Sequence, residues 1–233
     1  MLAKNLKQHL TETVESGLQK PIFTYKSNPD ILYIPDFLTS AECDHMRSLC
    51  YSDYSTAHLA EELTVDTKSF MCYTWRHSFY QNMILKTICD RLAFAIGYDV
   101  DFAEKLEIRK FEGTGFYNRM CEYIPEDNDL HQFGACDEFP QLAYENIDDT
   151  SRQFAPSGNR VGAVTFFLGT HDTSRLVFKD INAPHFKPVL GTAMFWNVND
   201  DKIVYDVATN MDNEPMWMGL LLFRENPRRR EEF

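Results

Sequence analysis

Few side chains in this sequence stand at the spacings that known chemistry demands. The six cysteines, Cys43, Cys50, Cys72, Cys89, Cys121 and Cys136, never form a C-x-x-C pair, so neither a zinc knuckle nor a redox dithiol is written in the chain. There is no Gly-x-Ser-x-Gly turn and no phosphate-cradling glycine loop, which removes the hydrolase nucleophile elbow and the P-loop. The acidic runs Glu61-Glu62 and Glu126-Asp127-Asn128-Asp129 lack calcium-loop spacing and read as solvated loop faces. Two histidines have carboxylates near them: His131 precedes Asp137 by six residues, and His171 is followed by Asp172. Imidazole and carboxylate together suit a divalent metal. Adjacent residues in extended backbone point to opposite faces, however, so His171 and Asp172 read as a solvated turn rather than a chelate. His131 with Asp137 reads as a surface-loop pair. Trp75-Arg76-His77 with Phe79-Tyr80 reads as a strand packed on the body rather than as a stacking platform for a ligand.

The elements that position these groups begin with one large body. At 233 residues, 44% hydrophobic and 25% charged, the chain buries a sizeable core, and disorder, collagen and coiled coil are excluded. Lys plus Arg is 23 against 35 Asp plus Glu, a net charge of −12 that disfavours a nucleic-acid partner despite the small basic run Arg228-Arg229-Arg230. The longest apolar stretches, Val161 to Gly169 and Trp217 to Phe223, fall short of the ~20 residues of a membrane helix. Glu12 and Glu15 argue against an import presequence. The expectation is a cytoplasmic protein with reduced thiols and no membrane partner.

Leu2, Leu6, Leu10 and Val14 recur every four residues, which predicts an amphipathic helix over 2–19. Ile31 to Phe37 reads as a strand entering a turn. Thr39 stands three residues before Glu42, a capping box, and predicts a helix over 40–51 with Cys43 and Met46 on its inner face. A second helix is predicted over 81–96, with Ile84, Ile88, Leu92 and Ala95 buried and Gly97 as its stop. From Leu106 onward the texture is short β-rich runs. The clearest are Leu106 to Glu112, Arg160 to Leu168, Thr192 to Val198 and Met216 to Arg224. Residues 124–159 are a polar insertion, of the kind that forms lids or binding loops. Helices first and strands second predict an α+β fold: a jelly roll with helices packed on one sheet.

The blocks YIPDFLTSAECDHM, LEIRKFEGTGFYNRMCEY, NRVGAVTFFLG, FKPVLGTAMFWN and EPMWMGLLLFRE follow one another in an order that resembles the prolyl 4-hydroxylase-type iron(II)/2-oxoglutarate oxygenases, over roughly Ile31 to Glu225. The resemblance implies a double-stranded β-helix. It also implies a ligand frame: glycine, two residues, aromatic, two residues, then His-x-Asp; and later a His, with Pro four, Gly eight and Lys ten residues on. Gly113 and Phe116 fit the first part, and Pro215 and Gly219 fit the second. The ligand positions then fall on Arg119, Cys121 and Met211, and the lysine that pairs with the far carboxylate of 2-oxoglutarate falls on Leu221. The family's Gly-Gly-x-Thr turn is replaced by the stretch Thr173 to Phe178.

A facial triad needs two imidazoles and a carboxylate. Arg119 instead sets a permanent positive charge where the metal dication sits, and Leu221 has nothing to offer a carboxylate. Cys121 and Met211 are soft donors suited to copper(I), but they read as fillers of a vacated cavity. Arg119 is expected to pair with an acidic neighbour such as Glu122 or Asp206, or to meet an anionic ligand. The sequence therefore predicts a domain over 21–233 behind an N-terminal helix at 1–20. It predicts no catalytic group, no metal and no cofactor, with Arg119, Cys121, Met211 and Leu221 lining the barrel mouth. The predicted role is that of a structural subunit, adaptor or binding module with a protein partner or a second copy of itself. The alternative is an active oxygenase holding iron(II) and 2-oxoglutarate through other residues, such as His131, Asp137 and His185.

Overall fold

The computed structural model describes residues 22–27, 30–50, 58–59, 71–113, 115–121, 160–178, 182, 184–198, 204–209 and 214–227. The proposed N-terminal helix at 1–20, the insertion at 124–159 and the Arg228 to Arg230 run lie outside them.

Eleven strands form two antiparallel sheets among the described residues. The larger contains β1 (Phe23–Lys26), β2 (Ile31–Ile34), β3 (His58–Leu59), β4 (Met71–His77), β5 (Leu106–Glu112), β7 (Arg160–Phe167), β9 (Ala193–Asn197) and β11 (Met216–Arg224), in the spatial order β1-β2-β9-β7-β11-β5-β4-β3. The smaller is β6 (Gly115–Cys121), β10 (Val204–Thr209) and β8 (Arg175–Phe178), with β10 in the middle. Two helices, α1 (Ser40–Leu49) and α2 (Met83–Ile96), cover the outer face of the larger sheet. This is the predicted α+β jelly roll with helices on one sheet.

The helix ends follow local chemistry. Thr39 and Glu42 form the reciprocal capping box, with Glu42 N–H donating to Thr39 Oγ1 at 3.2 Å and Thr39 N–H to Glu42 Oε2 at 2.8 Å. α2 starts two residues later than its periodicity predicts. Phe79 to Gln81 forms a single 3-10 turn, and Asn82 then caps the helix by accepting from Ile84 and Leu85 N–H. Gly97 stops α2 in the left-handed region at φ 78°, where a side chain is strained. Ile84, expected on the buried stripe, is 48% exposed, whereas Leu85, Ile88, Cys89, Leu92 and Ala95 face the sheet.

Strand alternation sorts the interior into two cores. On β11, Trp217, Leu221 and Phe223 join the core under the helices, while Met216, Met218, Leu220 and Leu222 face the smaller sheet. Val164 and Phe166 on β7 go to the helices, and Ala163 and Phe167 go between the sheets. Gly219 is required by this packing: a Cβ there would stand 2.0 Å from the ring of Phe166. Among the described residues no helix is long and apolar enough to cross a membrane.

Candidate functional site

The resemblance directs attention to the space between the sheets, and the described register locates its parts. β6 and β10 run antiparallel with Val204 opposite Cys121, Tyr205 opposite Met120, Val207 opposite Tyr117 and Thr209 opposite Gly115. The register shifts between Tyr205 and Val207, so Asp206 stands across from the Asn118-Arg119 step. Arg119 and Cys121 are therefore neighbours of the start of β10. Met211 lies outside the described residues. The last described residue before it, Thr209, pairs with Gly115 and donates its hydroxyl to Gly113 O at 2.7 Å, at the far end of β6 from Cys121.

This register moves the second half of the ligand frame. The β10 residue beside the Arg119 to Cys121 pair is Tyr205, which sequence reasoning passed over. The frame's ten-residue step from Tyr205 arrives at Pro215 rather than Leu221. Leu221 does not line the mouth: it is fully buried on the helix side of β11, because strand alternation gives the inner face to Met218, Leu220 and Leu222. Pro215 and Gly219 fit the frame counted from Met211. In the Tyr205 register those places hold Thr209 and Asn213.

Tyr205 is fully buried in an aromatic cluster, 5.7 Å from Trp196 and 5.8 Å from Phe178 between ring centroids. Trp196 pairs with Ala163, which pairs with Leu222, so this cluster occupies the end of the sheets where β11 finishes. Charges are concentrated at the same end. Glu107 lies opposite Leu220 on β5 and accepts from Arg76 Nε at 2.8 Å and from Arg109 Nη2 at 2.6 Å. Glu104 accepts from Arg160 Nε at 2.7 Å and Arg224 Nε at 2.6 Å. Burial pushes the Glu107 carboxyl up, and the guanidinium groups of Arg109 and Arg76 outweigh that, holding it below the usual carboxylate range. Two carboxylates, each held by two arginines, are thus buried at this end of the larger sheet. The inner face of β11 itself offers only Met and Leu.

The other sequence candidates do not converge here. His131 and Asp137 lie outside the described residues. His185 is exposed, next to Phe186 at the edge of the smaller sheet. His171 and Asp172 do not read alike: the chain bends at Asp172, His171 is buried, and Asp172 is exposed and paired with Lys187. Trp75 is a buried strand residue stacked on Trp217 at 5.6 Å. Among the described residues no three of His, Cys, Asp and Glu come together to hold a metal ion. Tyr205, Trp196 and the methionines and leucines on the inner face of β11 themselves offer no imidazole or carboxylate.

No family model matches this sequence, and no curated protein matches it. Solved structures do. A viral collagen prolyl hydroxylase from Paramecium bursaria Chlorella virus-1, solved as a 2-oxoglutarate complex, is similar with a TM-score of 0.56 at 11% identity, over 83% of this chain and 94% of that one. A 2OG-Fe(II) oxygenase family oxidoreductase from Burkholderia pseudomallei matches with a TM-score of 0.52 at 14% identity, covering 98% and 95%. The epimerase SnoN, solved with Fe3+, α-ketoglutarate and nogalamycin RO, matches with a TM-score of 0.52 at 9% identity, covering 94% and 84%. These findings overturn the expectation that no cofactor belongs to this architecture, since the viral hydroxylase was solved with 2-oxoglutarate and SnoN with Fe3+ and α-ketoglutarate. At these identities the likeness establishes architecture, and on it the chain has the double-stranded β-helix fold of the prolyl 4-hydroxylase-like iron(II)/2-oxoglutarate oxygenases.

Proposed function

We propose that this chain is a binding protein on an oxygenase scaffold, working by association with a protein partner or a second copy of itself rather than by hydroxylation at the family's ligand frame. One observation carries the reading: across from Arg119, Met120 and Cys121, β10 presents Asp206, Tyr205 and Val204, and Tyr205 is buried against Trp196 and Phe178. A tyrosine locked in an aromatic cluster, beside a strand whose ligand places hold arginine and cysteine, does not make a facial triad. The Glu104 and Glu107 networks support the same reading, because ion pairs that satisfy one another stiffen this end of the barrel.

Iron(II) and 2-oxoglutarate, the groups carried by the fold's neighbours, are the right probes. The purified full chain is incubated with iron(II), 2-oxoglutarate and ascorbate, and succinate is measured. Light scattering and crosslinking in native extract report association. The expected result is succinate no higher than in a no-protein control, with an oligomer or a crosslinked neighbour. Turnover above that control, or a strict monomer without crosslinked neighbours, overturns the proposal. The register beneath it has its own test: Val204→Cys should form a disulfide with Cys121 under mild oxidation, since opposed strand residues lie within disulfide reach, whereas Ala208→Cys, opposite Phe116, should not.

A further inference from the structure

A cavity lies at the opposite end of the larger sheet from Tyr205, under α1. It measures about 420 Å³, within the range of small-ligand sites, and its wall includes Arg47, His171, Leu190, Glu214, Pro215 and Trp217. Its frame is fixed by backbone. Leu168 N–H donates to Trp217 O at 3.0 Å, His171 N–H to Pro188 O at 3.1 Å, and Leu190 N–H to Thr170 Oγ1 at 3.0 Å.

The wall is chemically divided. Trp217, Leu190 and Pro215 supply an apolar side, and the Trp217 ring is fixed by stacking on Trp75. Arg47 and Glu214 supply opposite charges, and both act on His171: Glu214 favours its charged form, while Arg47 opposes it. Burial contributes most and holds the imidazole below its ordinary range, so it is neutral at pH 7. His171 is 8% exposed, and its Nε2 has no hydrogen-bond partner among the described residues. That nitrogen lies against Gly169, where a Cβ would approach it to 2.8 Å. Arg47 is paired with Asp44 through Nη2, but the Asp44 side chain is 64% exposed, and an exposed pair of this kind yields readily to a better placed carboxylate.

We infer that this cavity binds a small zwitterion with an apolar side chain, a free α-amino acid of the leucine or phenylalanine type, its carboxylate on Arg47, its ammonium on Glu214 and its side chain against Trp217 and Leu190. A simple anion leaves Glu214 facing it unfavourably, and a simple cation does the same with Arg47. A molecule carrying both charges on one carbon satisfies the two together, and the remaining volume takes an apolar group. His171 closes the floor as a neutral donor or acceptor. The inference is independent of the proposed function and uses none of the residues at the other end of the barrel.

The experiment is calorimetric titration of the full chain with L-phenylalanine and L-leucine, and then with 3-phenylpropionate and phenethylamine, which keep the ring but lose the ammonium or the carboxylate. The amino acids should bind at least about tenfold more tightly than either analogue, the scale expected for loss of one charge-assisted contact. Arg47→Met and Glu214→Gln, both on partly or fully exposed side chains, should each weaken L-phenylalanine binding about tenfold with Tm unchanged, while Lys86→Met on α2 leaves it unaltered. Gly169→Ala, which drives a methyl against His171, should weaken binding too, and its Tm is read alongside. Equal binding of 3-phenylpropionate, indifference to Glu214→Gln, or no heat from either amino acid at 10 mM (about the weakest affinity the method resolves) would overturn the inference.

Discussion

The two faces of the eight-stranded sheet are built from the same strands and differ in kind. Toward the helices, Leu106, Ile108, Val164, Phe166, Phe195, Trp217, Leu221 and Phe223 meet Ile88, Leu92 and Met46 in an apolar core. Toward the smaller sheet, Phe167, Trp196, Tyr205, Met218 and Leu222 share the space with Glu107 and Arg109, both 5% exposed. Period-two alternation is enough to create both faces: Leu106 and Ile108 go one way, and Glu107 and Arg109 the other. A core made only for stability has little use for buried charge, because desolvation offsets most of the Coulombic gain. On the inner face Glu107 is paired with Arg109 and with Arg76, so those charges are turned on one another.

The largest expected effect separates the faces by charge. Glu107→Gln leaves Arg109 and Arg76 without the carboxylate both of them hold, and breaking a buried pair from one side costs roughly 3–5 kcal/mol. The pH dependence follows from the same group. The folded-state pKa of Glu107 lies below that of the unfolded chain, so its contribution is present above the ordinary carboxylate value of about 4.3 and is lost as pH falls through the lower folded value. Thermal unfolding from pH 7 down to pH 3 should show the wild type declining as pH falls below that ordinary value of about 4.3. The variant should be less stable at pH 7 and flatter in the acid range. A variant as stable as wild type at pH 7 would show that the network contributes nothing on balance.

The second effect is apolar and tests whether the faces are equally well packed. Leu221→Ala on the helix side and Met218→Ala on the inner side each empty a fully buried position on the same strand, at a cost of roughly 2–5 kcal/mol each. Chemical denaturation of the two variants should place Leu221→Ala at the upper end, because the rigid layer of α1 and α2 cannot close over the hole. If Met218→Ala costs more, the inner face is the tighter one. A cost at Leu221 under 1 kcal/mol, well below the range for a buried leucine, would contradict its burial.

What the sequence made legible was what local rules determine. Thr39 with Glu42, Gly97, and the runs at 106–112, 160–167 and 216–224 all announce themselves through caps and periodicity, and the structure has them where they were expected. On α2 only Ile84 departs from the predicted stripe: Ile88, Leu92 and Ala95 are buried as expected, and in the first turn Leu85 is buried instead. The site was harder to read because a ligand frame is a three-dimensional register between β6 and β10, and a linear count across a strand and a turn constrains it weakly. Pro215 and Gly219 fitted that count, yet Gly219 has a different reason to exist, the approach of Phe166. Tyr205 carried no motif, and only its pairing with Met120 identifies it. His171 was read with Asp172 as exposed because periodicity does not tell which side of a loop is covered.

The smallest effect concerns Tyr205 itself and asks whether the inner face depends on its polar atoms or on its rings. Tyr205→Phe keeps the ring that meets Trp196 at 75° and Phe178 at 48°, so the edge and tilted contacts, worth on the order of 0.5–1.5 kcal/mol per pair beyond area, remain. It removes one hydroxyl, and a neutral hydrogen bond contributes about 1 kcal/mol net. The expected loss is therefore about 1 kcal/mol or less in chemical denaturation, well under that of Glu107→Gln on the same face. A small loss would mark Tyr205 as a filler of the frame position, placed by shape. A loss above about 2 kcal/mol, beyond the usual net range of a neutral hydrogen bond, would mean that its hydroxyl is tied into the charged network of Glu107 and the arginines. The double variant Tyr205→Phe with Glu107→Gln then decides between them, because independent sites add to within about 0.5 kcal/mol whereas members of one network do not.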